Sequence, residues 1–198
     1  DNNFFVSEPQ AREFCERIAP LGIRWWCEAR VDTLTRFSDD TWRLLARSGL
    51  AMVFCGAESG SDDVLRKMDK GTTTAQILEV AARSREHGII PEFSFVFGDP
   101  HDPEGEIDNT LGFVRRLKEV NSRMELITYF YTPTPQRRGT YGDVDALQGT
   151  PATLEEWTEP EWVDWMTHES PRVPWMNDRL RTRVLDFQHE MRTRYPSV

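Results

Sequence analysis

A chain of 198 residues suits one domain, or one domain with an appendage, and can bury roughly 70% of its unfolded surface. Hydrophobic residues are 38% and charged residues 29%, an ordinary globular balance, and no apolar run approaches the ~20 residues of a membrane helix. The formal net charge of -9 argues against a nucleic-acid partner, because phosphate binding needs concentrated Lys and Arg.

The chain opens on "DNNFFVSEPQ", which lacks the basic start and apolar middle of a signal peptide and reads as the tail of a strand. This start leads us to expect a fragment of a longer protein. Next comes a helix pattern in "EPQAREFCERIAPLG", with Pro9 in its first turn and Phe14 and Ile18 four apart. "IRWWCEARV" is strand-like, and "SDDTWRLLARSG" follows as a helix with Ser38 as N-cap and Gly49 as its stop. "AMVFCGAES" is the third strand, followed by a short helix in "SDDVLRKM" and a longer one in "TTAQILEVAARSREHG". "IPEFSFVFGDP" is the fourth strand, "DPEGEIDNTLGFVRRLKEV" its helix, and "MELITYFYTPTP" the fifth strand.

Strands alternating with helices imply parallel pairing, and the lack of a Gly-x-Gly-x-x-Gly loop favours a barrel-type α/β layout. Residues 132 to 198 differ in composition, with four of the seven tryptophans (157, 162, 165 and 175) in an otherwise polar stretch. At their end Leu180, Val184, Phe187, Met191 and Tyr195 fall on one helical face. We expect an extension packed on the outside of the barrel, with a substrate-facing lid or a partner-domain contact as the alternatives. Cys15, Cys27 and Cys55 are odd in number and widely spaced, fitting neither a disulfide framework nor a metal-binding spacing. A reducing, cytoplasmic location is the expectation. The four histidines form no metal spacing, and Glu58-Ser59-Gly60 is not a nucleophile elbow, since Ala57 stands where that motif needs Gly.

In parallel α/β barrels, ligands sit at the carboxyl ends of the strands. Those ends carry Asp1 and Asn3, then Glu28 and Arg30, then Glu58 and Ser59, then Gly98-Asp99-Pro100, then Tyr129, Tyr131 and a Thr-Pro-Thr-Pro turn. Two carboxylates, an arginine and, a short helix later, Lys70 could hold a zwitterionic, hydroxyl-bearing ligand: carboxylates accept from hydroxyls or an ammonium, and a cation holds a carboxylate. Plainer roles stand beside this one. Glu28 and Arg30 could pair with each other, Glu58 could cap the helix opening at Ser61, and Lys70 could be a solvated helix-end lysine.

The blocks "DNNFF", "WWCEARVDTL", "VFCGAESGSDDVLRKMDKGTT", "FSFVFGDP" and "YTPTP", in this order and at these intervals, resemble the radical S-adenosylmethionine superfamily. The likeness is to the branch with an N-terminal cobalamin-binding domain, and it covers residues 1 to about 140. It implies a partial (βα)6 TIM-like barrel of which strands two to six are present (residues 1–140), followed by a helical, Trp-rich C-terminal extension (141–198). It places Asp1 and Asn3 at the methionine amino group, Glu28 at the ribose hydroxyls, Glu58 beside the ribose and methionyl part, Lys70 at the methionine carboxylate and Val96 on the adenine. Arg30 and Ser59 are taken with them as cofactor-binding residues. The implied activity of the full protein is generation of a 5′-deoxyadenosyl radical, cobalamin-dependent, with C-methylation as the reaction and a small molecule as substrate.

One departure matters. The Cys-x-x-x-Cys-x-x-Cys motif that holds the iron–sulfur cluster is absent, and the "FGDP" turn departs from the more usual Gly-x-Pro-Gly-Glu-Thr. The expectation is therefore that the cluster ligands and a cobalamin domain lie in a missing N-terminal segment, and that the chain alone is inactive. The rival readings are a methylthiotransferase of the same superfamily, whose usual basic β-rich tail this acidic, helical one does not resemble, and a cluster-less binding or scaffold module.

Overall fold

The computed structural model describes residues 3–132, 151, 153–160, 162–163 and 173–196. Expectations resting on Asp1, on residues 133–135 of the Thr-Pro turn and on Trp165 fall outside these. Four strands, β1 (Trp25–Glu28), β2 (Leu50–Glu58), β3 (Ile90–Phe97) and β4 (Glu125–Phe130), form one sheet in sequence order, every neighbouring pair parallel. This is the parallel α/β architecture the alternation predicts, with four strands among the described residues where five were expected.

The helices form where capping and spacing favour them. In α1 (Glu8–Ile18) the Ser7 side chain accepts from the Gln10 amide, and Pro9 sits in the first turn. A 3-10 turn (Ala19–Leu21) then leads to β1. α2 (Val31–Leu34) is a single turn, and α3 (Asp39–Arg47) is capped by Ser38, with acids in its first turn and Arg47 in its last, as the macrodipole favours. α4 (Asp62–Lys67) is short; α5 (Thr74–His87) opens on a Thr73/Gln76 capping box and stops at Gly88 in a left-handed conformation. α6 (Pro103–Val120) returns the chain to β4, and α7 (Leu154–Trp157) and α8 (Asp178–Arg194) follow.

Two expected boundaries shift. The segment "NFFV" carries no regular strand: its backbone meets the edge of β1 through one bond, the Phe4 amide to the Glu28 carbonyl, before Ser7 starts α1. Phe4 is held there by its side chain, edge-on to Phe14 at 4.7 Å. β1 ends at Glu28 instead of running to Val31, because Arg30 is the N-cap of α2.

Burial alternates along the sheet. Cys27, Val53, Cys55, Ala57, Phe93, Phe95 and Phe97 are buried, whereas Trp26, whose side chain points to the opposite face from Cys27, is 63% exposed. In α8 the residues Leu180, Val184, Phe187 and Met191 are buried as the spacing predicts, while Tyr195 lies just past the helix end. That face packs on α6, flanked by Arg115–Glu190 at 3.0 Å, Arg179–Glu104 at 2.9 Å and Arg183–Asp108. These exposed pairs fix register more than they stabilise. Among the described residues, no helix is long and apolar enough to cross a membrane.

Candidate functional site

The C-terminal ends of β1, β2 and β3 surround two adjoining clefts. The first, about 520 Å³, is lined by Asn3, Glu28, Arg30, Gly56, Glu58, Lys70 and Thr72 among others. The second, about 620 Å³, shares Glu58, Lys70 and Tyr129 with it and adds Met68, Val96 and Tyr131. Of the sequence-predicted residues, Asn3, Glu28, Arg30, Glu58 and Lys70 line the first cleft, and Glu58, Lys70 and Val96 the second.

Glu58 is positioned by a break in the ladder. Between Gly56 and Glu58 the β2–β3 register shifts, so two residues of β2 oppose one of β3, and Glu58 adopts φ 65. A non-glycine residue in this left-handed region is uncommon, and such bulges re-aim side chains at functional sites. The re-aimed carboxylate meets Lys70 Nζ at 2.5 Å, both side chains partly buried. Glu58 therefore does not cap α4, whose N-cap Ser61 makes no side-chain capping bond; Asp62 in its first turn accepts from the Thr74 amide at the start of α5. Gly56 makes the pair possible: a Cβ there would stand 2.3 Å from Glu58 Oε1 and 2.9 Å from Lys70 Nζ.

Arg30 does not pair with Glu28. Its Nε donates to Asp32 at 2.8 Å and its Nη2 to the Lys70 carbonyl at 3.0 Å, so it fixes the backbone that carries the lysine. The Glu28 carboxylate makes no ion pair with any described residue and lines the cleft. Asn3 Oδ1 is buried without a hydrogen-bond partner, an orphaned acceptor on the same rim. Ser59 turns away from both clefts: its hydroxyl is buried against Thr110 at 3.4 Å and accepts from the Ser61 amide at 3.2 Å.

The three cysteines lie on α1, β1 and β2, all buried as free thiols. Burial raises the Cys15 and Cys55 thiols above the ordinary range and pushes Cys27 up to about 12. Protonated, dispersed thiols do not fit an iron–sulfur cluster, and no group of three metal-ligating side chains occurs among the described residues.

Glu106 and Thr110, one turn apart on the buried face of α6, escaped the sequence reading. Glu106 Oε2 accepts from the Gly98 amide at 3.0 Å, and Oε1 accepts from the Thr110 hydroxyl at 2.8 Å. The signal was present: a carboxylate stands in the same stripe as Ile107, Leu111 and Val114. Desolvation lifts the Glu106 carboxyl from 4.5 to about 7, the nearby Asp99 and Asp102 adding to the rise against its two hydrogen bonds. Between those values the folded state binds more protons than the unfolded chain, so this group's contribution to stability is lost as pH rises through that window. Denaturant unfolding at pH 5 and pH 8 should show the difference between the wild type and Glu106→Gln changing by on the order of 3 kcal/mol. A parallel pH dependence in the two proteins would contradict this assignment.

Comparison with known proteins bears on the family and the fold. The description "Radical SAM superfamily" matches residues 8–114. The chain is 28% identical over 131 residues (66% of it, 28% of the relative) to bacteriochlorophyllide d C-12(1)-methyltransferase of Chlorobaculum tepidum. It is 27% identical over 119 residues (59% of it, 25% of the relative) to an uncharacterized methyltransferase of Pyrococcus horikoshii. It therefore spans about a quarter of the length of these relatives. Among solved structures, coproporphyrinogen III oxidase of Escherichia coli, titled a Radical SAM enzyme, superposes with TM-score 0.58 over 96% of this chain and 38% of the other, at 12% identity. That likeness bears on the fold alone.

Proposed function

The chain belongs to the radical S-adenosylmethionine superfamily, and from that membership we propose that its strand-end clefts form part of an S-adenosylmethionine site in a radical enzyme. The observation that carries this reading is the rim on which the orphaned Asn3 Oδ1, the unpaired Glu28 carboxylate and the Glu58–Lys70 pair lie together. An amino acid joined to a nucleoside needs acceptors for its ammonium and hydroxyls, a cation for its carboxylate and an apolar wall for its base. Asn3 Oδ1 would accept from the ammonium and Glu28 from the ribose hydroxyls. Lys70 would donate to the carboxylate, Glu58 holding its ammonium in place, and Val96 would pack on the adenine. Bound S-adenosylmethionine supplies the adenosyl group on which the superfamily's radical chemistry runs; this chain's residues bind and orient it.

The cluster does not fit the residues present, so no step is assigned to it here. For the whole protein we propose a cobalamin-dependent C-methyltransferase acting on a small molecule in the cytoplasm, supported by the methyltransferase named in the Chlorobaculum tepidum relative. In that reading residues 1–140 form the barrel part, residues 141–198 the extension, and an N-terminal cobalamin domain the partner.

The test is anaerobic reconstitution of the full-length protein with iron and sulfide, followed by S-adenosylmethionine and a reductant. Chromatography is expected to detect 5′-deoxyadenosine. A protein that neither binds S-adenosylmethionine by calorimetry nor forms this product would overturn the proposal.

A further inference from the structure

Helix α4 spans the distance between Glu58 and Lys70, and its surroundings form a closed circuit. Two residues after Glu58, the Gly60 amide donates to Thr110 Oγ1 at 2.9 Å. The Thr110 hydroxyl donates to Glu106 at 2.8 Å, and the other oxygen of Glu106 accepts from the Gly98 amide at 3.0 Å. The next residue, the buried Asp99, accepts from Lys67 Nζ at 3.2 Å, at the C-terminal end of α4. Three residues further on stands Lys70. The ends of β2 and β3 and both ends of α4 are thereby tied to two side chains of α6.

We propose that Glu106 and Thr110 are positioning residues: they brace the ends of β2 and β3 so that Glu58 and Lys70 are presented to the ligand at a fixed separation. Neither side chain lines the two clefts. Their influence runs through the Gly60 and Gly98 amides, the second residue beyond Glu58 and the first beyond β3. A carboxyl group suits this place because its two oxygens accept from two donors on different elements at once, which no apolar residue of the same stripe could do. Leaving those donors buried and unpaired is costly, so the brace is strong while intact. The charged groups facing Glu106 are Asp99 and Asp102, with Lys67 reached through Asp99. No cation contacts the carboxyl group directly among the described residues, and its hold on the turns comes from hydrogen bonds.

This inference rests on the S-adenosylmethionine reading for its functional consequence, but the brace itself is testable without ligand. In the full-length protein, amide hydrogen exchange at Gly60 and Gly98 and calorimetric titration with S-adenosylmethionine are to be compared for Glu106→Ala, Glu106→Gln, Thr110→Val and Thr110→Ser. Glu106→Ala and Thr110→Val should speed exchange at the linked amides at least tenfold and weaken S-adenosylmethionine about 5- to 10-fold. Thr110→Ser, which keeps the hydroxyl, should restore both, and Glu106→Gln should stay within about twofold in affinity, because its oxygen can accept from the Gly98 amide while its NH2 donates to the Thr110 hydroxyl oxygen. Thr110→Val keeps the experiment decisive if Glu106→Ala fails to fold. Unchanged exchange would overturn the brace, and faster exchange with unaltered affinity would overturn the positioning role. A wild type that exchanges as expected but binds no S-adenosylmethionine would overturn the role together with the function proposed above, leaving the exchange result to stand for the brace alone.

Discussion

Lys70→Ala is expected to weaken S-adenosylmethionine binding by the full-length protein about 10- to 100-fold, the loss of one charge-assisted hydrogen bond of about 1.5–3 kcal/mol. The lysine is well prepared for a carboxylate. Its ammonium is held at 2.5 Å by Glu58, and its own carbonyl is held at 3.0 Å by Arg30. Glu58→Gln should cost less, about 3- to 10-fold, since the amide oxygen still accepts from the ammonium and the backbone bulge is retained. Gly56→Ala separates site from fold. Its new methyl would meet only the far ends of two flexible side chains, Glu58 Oε1 and Lys70 Nζ. Stability should therefore hold while affinity drops as far as in Lys70→Ala. Calorimetry on the three variants, with thermal melts alongside, checks this; unaltered affinity in all three would show that the ligand binds elsewhere.

Gly60→Ala should act on the fold instead, lowering unfolding free energy by about 3 kcal/mol, the upper end of the usual cost of overpacking. A Cβ at Gly60 would lie 2.6 Å from Phe113 Cβ, 2.8 Å from Thr110 Cα and 2.9 Å from the Asn109 carbonyl. These are backbone and near-backbone atoms of α6, so relief requires the helix to withdraw from the strand end. Gly112→Ala, on the same helix with open space around the added methyl, is the control. It should be neutral or stabilise by up to about 1 kcal/mol, as an alanine replaces a glycine inside a helix. Urea unfolding that shifts the midpoint equally in both variants would contradict the packing assigned to Gly60.

The two glycines show how legible the site was in the sequence. Small residues flank Glu58 on both sides, and at Gly56 the space they leave lies beside the cleft. At Gly60 the same smallness serves helix–strand contact. Residue type alone cannot separate these cases, because both require only the absence of a side chain. The partner of Glu58 was equally hidden. Glu58 and Lys70 read as two sides of a cleft, yet a left-handed residue at a bulge turns the carboxylate onto the lysine. Arg30 read as a ligand contact or a partner of Glu28, but the early end of β1 turns it toward Asp32 and Lys70.

The order of strands and helices, their caps at Ser38 and Thr73 and their stops at Gly49 and Gly88 were set by local pattern. Each depends on residues within a few positions of one another, so the sequence by itself determined them, and the alternation they create implies the parallel sheet. The set of polar residues at the strand ends was determined likewise, because in a parallel sheet every strand delivers its last residues to the same side. The Gly60–Thr110 link of the brace, the inward turn of Ser59 and the pairing of Lys67 with Asp99 join residues 32 to 51 positions apart. Only the tertiary structure decided these, since which acceptor the Gly60 amide meets depends on how α6 lies across the strand ends, and nothing local to Gly60 specifies that.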